Sequence, residues 1–142
     1  MGRVKMTFLL LLVVCTRAAQ NGEEHRTVRR SLSSWTNCLN RHRSLLLSYN
    51  GRCAATQLGF AYGRMILANC KNCDKYFHCI GNYWAMNECN NSDETRRAAE
   101  VISDCREWGD NSRDASRDQE ANLYGRNGGD CSVRFLAPEN CA

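Results

Sequence analysis

Three things are missing from this 142-residue sequence, and each removes a class of function. Beyond residue 14 no apolar run approaches the ~20 residues a helix needs to cross a bilayer. The sequence holds no Gly-x-Ser-x-Gly, no phosphate-binding loop and no His-Glu-x-x-His, so it offers no catalytic residue and no enzyme is expected. Acids are the third absence. Between residues 31 and 75 the only one is Asp74, against Arg41, Arg43, Arg52, Arg64, Lys71 and Lys75.

The bulk charge is misleading. Residues 1–30 hold six of the nineteen basic side chains and two of the fifteen acidic ones, leaving thirteen against thirteen. Nucleic-acid binding through net charge therefore has no support. Neutrality hides an asymmetry of +5 over residues 31–75 and −5 over 76–142. Such halves can attract each other within the fold, or the first can meet an anionic surface.

Arg3 and Lys5, an apolar run from Met6 to Val14 and the small residues after it read as a secretory signal peptide over residues 1–18. That places the protein in a secreted, extracellular setting. The polar stretch 19–30 ends in Arg29-Arg30, which fits either a propeptide cleavage site or a disordered basic leader. The remainder, 31–142, is the size of one domain.

Cysteine is abundant. Setting Cys15 aside with the signal segment, nine remain: Cys38, Cys53, Cys70, Cys73, Cys79, Cys89, Cys105, Cys131 and Cys141. In a secreted chain they read as a disulfide framework whose connectivity the sequence leaves open. The odd number leaves one thiol free or paired between chains. Cys70-Lys71-Asn72-Cys73 lacks the preceding strand of a redox motif. Cys70, Cys73, His78 and Cys79 are zinc-ligand types, but adjacent His78 and Cys79 point to different helix faces and disulfides compete. Neither metal nor cofactor is expected. Asp104 and Glu107, at i and i+3, read as a solvated helix face paired with Arg97 or Arg106.

The periodicity is helical throughout. Residues 32–49 place Trp35, Leu39, Leu46 and Tyr49 on one face, with Arg41 and Arg43 off it and Asn50-Gly51 as the turn that follows. These six side chains are the predicted lipid-binding element; the competing outcome buries the same face inside a bundle. A second helix is expected over 54–69. A third starts at Asp74, with Tyr76, Ile80, Tyr83 and Trp84 on one face. Gly81-Asn82 costs this helix about 1 kcal/mol in propensity and lets another backbone come close. Asn90-Asn91-Ser92 is the only glycosylation sequon and makes Asn90 the candidate acceptor. A fourth helix, capped at Ser92 or Asp93, carries Ala98, Val101, Ile102 and Cys105 as its stripe and ends near Trp108. A last one is expected over 114–124, stopped by Gly125, before a tail without helical period.

Asp74-Lys75-Tyr76-Phe77-His78, then Gly81-Asn82-Tyr83, resembles the central helix of the serum amyloid A family. The words Ala98-Ala99-Glu100-Val101-Ile102-Ser103-Asp104 and Asp118-Gln119, with Ala121-Asn122 and Gly125-Arg126, continue the resemblance over residues 60–138. Arg30-Ser31-Leu32 with Trp35 is similar to the start of the mature family protein. About a dozen extra residues precede Ala61, and the cysteine set is a departure. The resemblance implies an all-α, four- or five-helix bundle closed by a wrapping C-terminal tail, here disulfide-stapled. It implies an acute-phase or innate-defence protein that binds lipids or lipoprotein. Retinol, glycosaminoglycan and bacterial surfaces are further ligands of the family, with Lys75, Arg106 and Arg126 at the glycosaminoglycan positions. The family's fibrils make a homo-oligomer an open partner state. Alternative readings are a membrane-active host-defence protein and a structural, aggregating extracellular protein.

Overall fold

Serine hydroxyls set where three of the helices begin. In the computed structural model, Ser48 accepts a hydrogen bond from the Gly51 amide (3.0 Å), Ser92 from Thr95 (3.2 Å) and Ser112 from Ala115 (3.1 Å). Each hydroxyl satisfies an amide that the first turn would otherwise leave without a partner. The structure describes residues 24–70 and 72–140, with side chains from Leu32 to Glu139 except Lys71. The expected signal segment and Cys141 lie outside them.

The helices are α1 (Glu24–Arg41), α2 (Arg43–Leu47), α3 (Tyr49–Ala68), α4 (Asp74–Asn87), α5 (Asp93–Arg106), α6 (Arg113–Arg126) and α7 (Cys131–Arg134), followed by a 3-10 turn at Pro138–Asn140. No strand occurs among the described residues. Helix α4 is the centre: α3 packs along one side and α6 along another, while α5 closes on α3 and α1. Among the described residues no helix is long and apolar enough to cross a membrane.

Four expectations need correction. The 32–49 helix is interrupted at His42 and again at Ser48, whose extended backbone (ψ 165°) starts a new helix. Asn50-Gly51 is therefore not a turn but the first turn of α3. Gly51 is required there because a Cβ would sit 2.0 Å from the Leu45 carbonyl oxygen. Gly125 does not stop α6. It lies inside the helix, where a Cβ would come 2.0 Å from the Cys79 carbonyl oxygen, so α4 and α6 touch backbone to backbone. The tail is not wholly irregular: Asp130 caps the short α7 by accepting from the Ser132 amide.

Small residues let the helices approach. One apolar cluster joins Cys38, Leu39, Leu46, Ala54, Ala85, Ala98, Ala99 and Cys105, with Trp35 and Leu58 packed against it. A second, smaller cluster of Cys79, Ala121 and Cys131 takes Tyr76, Ile80, Tyr83, Tyr124 and Phe135 around it. Gly81 meets Ala61 and Leu58 of α3, the close approach its sequence suggested.

Disulfides tie these layers together. Cys38–Cys105 joins α1 to α5, Cys53–Cys89 joins α3 to the turn after α4, and Cys79–Cys131 pins the tail to α4. Cys70 is disulfide-bonded as well. Cys73, fully buried at the start of α4, is the free thiol among the described residues. With Cys70 and Cys79 oxidised, the cysteine zinc set weighed from the sequence does not form.

Candidate functional site

Helix α3 has two unlike faces. Its inner side is small and buried, with Gly51, Ala54 and Ala61 against its neighbours. Its outer side keeps Tyr49, Phe60 and Leu67, which are 77%, 63% and 85% exposed. At ~100° per residue these three fall within about 20° of one another and span roughly 27 Å of helix. Arg52 and Arg64, both exposed, are the only charged residues of α3, and the helix holds no acid. The Arg64 guanidinium lies over the Trp84 ring, 5.3 Å from its centroid.

The seam between α4, α5 and α6 is the opposite: its polar groups point inward. Asn82, fully buried, is the hub. Its amide nitrogen donates to Asn122 Oδ1 (2.9 Å) and to the His78 carbonyl (2.9 Å), and its oxygen accepts from Ser103 Oγ (3.3 Å). Its oxygen also accepts from the Arg126 guanidinium at 2.8 Å. One side chain thus links three helices and neutralises the penalty of burying Arg126 and Asn122.

One turn earlier lies a charged cluster. The Lys75 ammonium sits 2.6 Å from Asp74, 2.7 Å from Asp114 and 2.6 Å from Asp118 Oδ1. Burial works against its charge, but the three carboxylates prevail and raise its pKa. Beside it the His78 side chain is only 8% exposed, with Nε2 3.5 Å from Asp118 Oδ2 and Nδ1 3.1 Å from Asn122 Oδ1. Burial, then Arg106, push the imidazole pKa down. Glu107 follows the end of α5. Desolvation and the nearby Asp118 push its carboxyl up to about 7. His78, Glu107 and Asp118 each bring a potential ligand atom within 4.8 Å of the others. Glu107 also lines an open pocket of about 360 Å³ with Asp104, Trp108, Asp110, Ser116 and Gln119.

The sequence-derived site residues scatter. Leu39 and Leu46 are buried and Trp35 packs on the same cluster, whereas Tyr49 belongs to α3 and faces out. Arg41 and Arg43 are exposed at the break between α1 and α2. The six do not form one face, because the chain changes direction at His42 and Ser48. Lys75 and Arg126 are taken up inside the seam, and the Arg106 guanidinium lies 4.3 Å from the Tyr62 ring centroid. Asn90 is exposed in the turn after α4. Glu107, expected on a solvated face, instead turns toward Asp118 because the chain leaves the helix at that residue. Asn82 and Asp118 were missed as organising residues. The only signal was an asparagine tolerated mid-helix at a cost.

Residues 48–137 match the family model described as serum amyloid A protein. Among curated proteins, the chain is 46% identical over 81 residues to the serum amyloid A-3 protein of Oryctolagus cuniculus, covering 49% of this chain and 59% of that one. It is 42% identical over 91 residues to the serum amyloid A protein of Notamacropus eugenii (56% and 65%). To the serum amyloid A protein of Anas platyrhynchos it is 46% identical over 82 residues (49% and 58%). The chain spans about three-fifths of the length of these curated relatives.

Proposed function

Because the chain belongs to the serum amyloid A family, we propose that it is a secreted acute-phase or innate-defence protein that carries or associates with lipid. It docks on anionic phospholipid surfaces, those of lipoprotein particles included, through the outer face of α3. The observation that carries this reading is the stripe of Tyr49, Phe60 and Leu67, left in water and flanked by Arg52 and Arg64 with no acid on the helix. Water contact over side chains this large is costly; burying a Phe or Leu side chain is worth about 1.5–3 kcal/mol. Each arginine adds about 1 kcal/mol near an anionic surface, an effect that fades within a Debye length as salt rises.

The disulfides suit the oxidising, extracellular setting this role needs. The α1–α2 face, expected from the sequence to bind lipid, is less available because Leu39 and Leu46 already pack inside. For glycosaminoglycan the support is weaker still, since Lys75 and Arg126 have internal partners.

Flotation with phosphatidylserine–phosphatidylcholine vesicles tests this. The protein should rise with the vesicles, and Phe60→Ser with Leu67→Ser should reduce bound protein at least tenfold. Arg52→Glu with Arg64→Glu should weaken binding at low salt and matter less at high salt. A protein that does not float, or a double serine variant that floats as well as the parent, contradicts the reading. So does a stripe occupied instead by a second copy, seen as a dimer that the serine variant abolishes while vesicles are ignored.

A further inference from the structure

We propose that His78, Glu107 and Asp118 form a divalent-metal site of the zinc class, open to solvent through the pocket beside Glu107. Three observations converge on it.

The first is an acceptor that faces another acceptor. Asn122 Nδ2 donates to Gln119 Oε1 (3.1 Å), and Asn122 Oδ1 already accepts from Asn82. That orientation turns the Asn122 oxygen toward His78 Nδ1, which must donate to it. In the neutral ring Nε2 is then an acceptor, and it faces Asp118 Oδ2, another acceptor, at 3.5 Å. Two acceptors meeting in a site where His78 is 8% and Asp118 10% exposed need a cation between them. The 3.5 Å spacing fits the edge of a tetrahedron with bonds of ~2.1 Å, as zinc makes to imidazole and carboxylate.

The second is the outer shell. Ring nitrogens that bind metal characteristically donate their other N–H to a carbonyl or carboxylate, which fixes tautomer and ring plane. Asn122, itself locked by Asn82 and Gln119, does this for His78. Asp118 is oriented in the same way: Lys75 holds Oδ1 at 2.6 Å, leaving Oδ2 to the site.

The third is charge. Among the described residues, Asp74, Asp114, Asp118 and Glu107, with Asp110 beside Glu107, stand against Lys75 and Arg106, whose Nε is 3.6 Å from Glu107 Oε1. Carboxyl groups thus outnumber cations around the site, a surplus that a divalent ion would offset. The alternative trio of Asp74, Asp114 and Asp118 is closed to a metal, because Lys75 already occupies its centre. The mixed nitrogen and oxygen donors favour zinc over calcium, which takes six or more oxygens.

Calorimetric titration of the disulfide-intact protein with zinc chloride at pH 7.4 tests this, with calcium chloride alongside. One equivalent of zinc should bind saturably and raise Tm, and calcium should bind at least tenfold more weakly. Cobalt in place of zinc should give visible d–d bands in the parent. Glu107→Gln, at the rim and outside the Asn82 network, should keep the fold and weaken zinc at least tenfold. Asp118→Asn should do the same if it folds. His42→Ala and Cys73→Ser should leave binding unchanged. Absence of saturable binding, calcium binding as tightly as zinc, or an affinity that follows His42 or Cys73 rather than Glu107 overturns the site.

Discussion

Helix α3 leaves Phe60 and Leu67 in water, while the seam of α4, α5 and α6 buries Asn82, Asn122, Asp118, Arg126 and much of Lys75. The usual partition of polar and apolar side chains is inverted in both places, and the inversions differ in kind. The Asn82 hub and the Lys75 ammonium of the seam are satisfied from within: the amide has partners on three helices, and the ammonium has three carboxylates. The α3 stripe is covered by nothing among the described residues. An internal inversion whose hub is paired specifies which helices meet. An external one that is unpaired points to something outside the molecule.

The comparison breaks most completely at Asn82. Asn82→Ala should destabilise the protein by about 3–5 kcal/mol in urea, because Arg126 is left buried without its acceptor. A loss under 1 kcal/mol would mean that the seam is not a structural device. Next comes the staple that holds the tail against it. Replacing Cys79 and Cys131 together by alanine should cost about 2–4 kcal/mol, read as a lower denaturant midpoint; an unchanged midpoint would assign the tail no part in stability.

Glu107 sharpens the comparison through pH. Its carboxyl is raised from 4.5 to about 7, so between those values the folded state holds a proton that the unfolded chain has lost. In metal-free, chelated buffer this contribution to stability should fall as pH rises from about 4.5 through 7. Glu107→Gln should flatten that slope and be more stable than the parent by about 1 kcal/mol at pH 8. A parallel pH profile for the variant would count against a strained carboxylate there. The smallest expected effect on stability is on the other side: Phe60→Ser with Leu67→Ser should stay within about 0.5 kcal/mol of the parent. A larger loss would show that the stripe is covered in the native protein.

Local signals made much of the helical frame legible. Asp74 begins α4, Ser92 caps α5, and Ala98 with Cys105 lies buried, as their patterns suggested. What stayed hidden depends on contacts between distant residues. Asn-Gly is the commonest turn signal, yet Ser48 two residues earlier supplies the cap and the Leu45 carbonyl demands a glycine. Gly125 looks like a stop until the Cys79 backbone is placed beside it. Asn82 looks like a penalty in a helix, since propensity cannot see Ser103, Asn122 and Arg126 arriving from two other helices. The apolar residues of 32–49 have a single helical period, but period alone cannot show that the chain breaks at His42 and sends Tyr49 elsewhere.

Placing the lipid contact requires two fluorescent reporters compared directly. One is Phe60→Trp in a background of Trp35→Phe, Trp84→Phe and Trp108→Phe. The other retains Trp35 alone, with Trp84→Phe and Trp108→Phe. Each is mixed with anionic vesicles containing lipids brominated along the acyl chains. The reporter at position 60 should shift to the blue and be quenched by bromine, while Trp35, packed on the Cys38 and Leu39 cluster, should be blue beforehand and unmoved. Quenching of Trp35 with none at position 60 would contradict the account: lipid would then be met by an opened α1, and not by the outer face of α3.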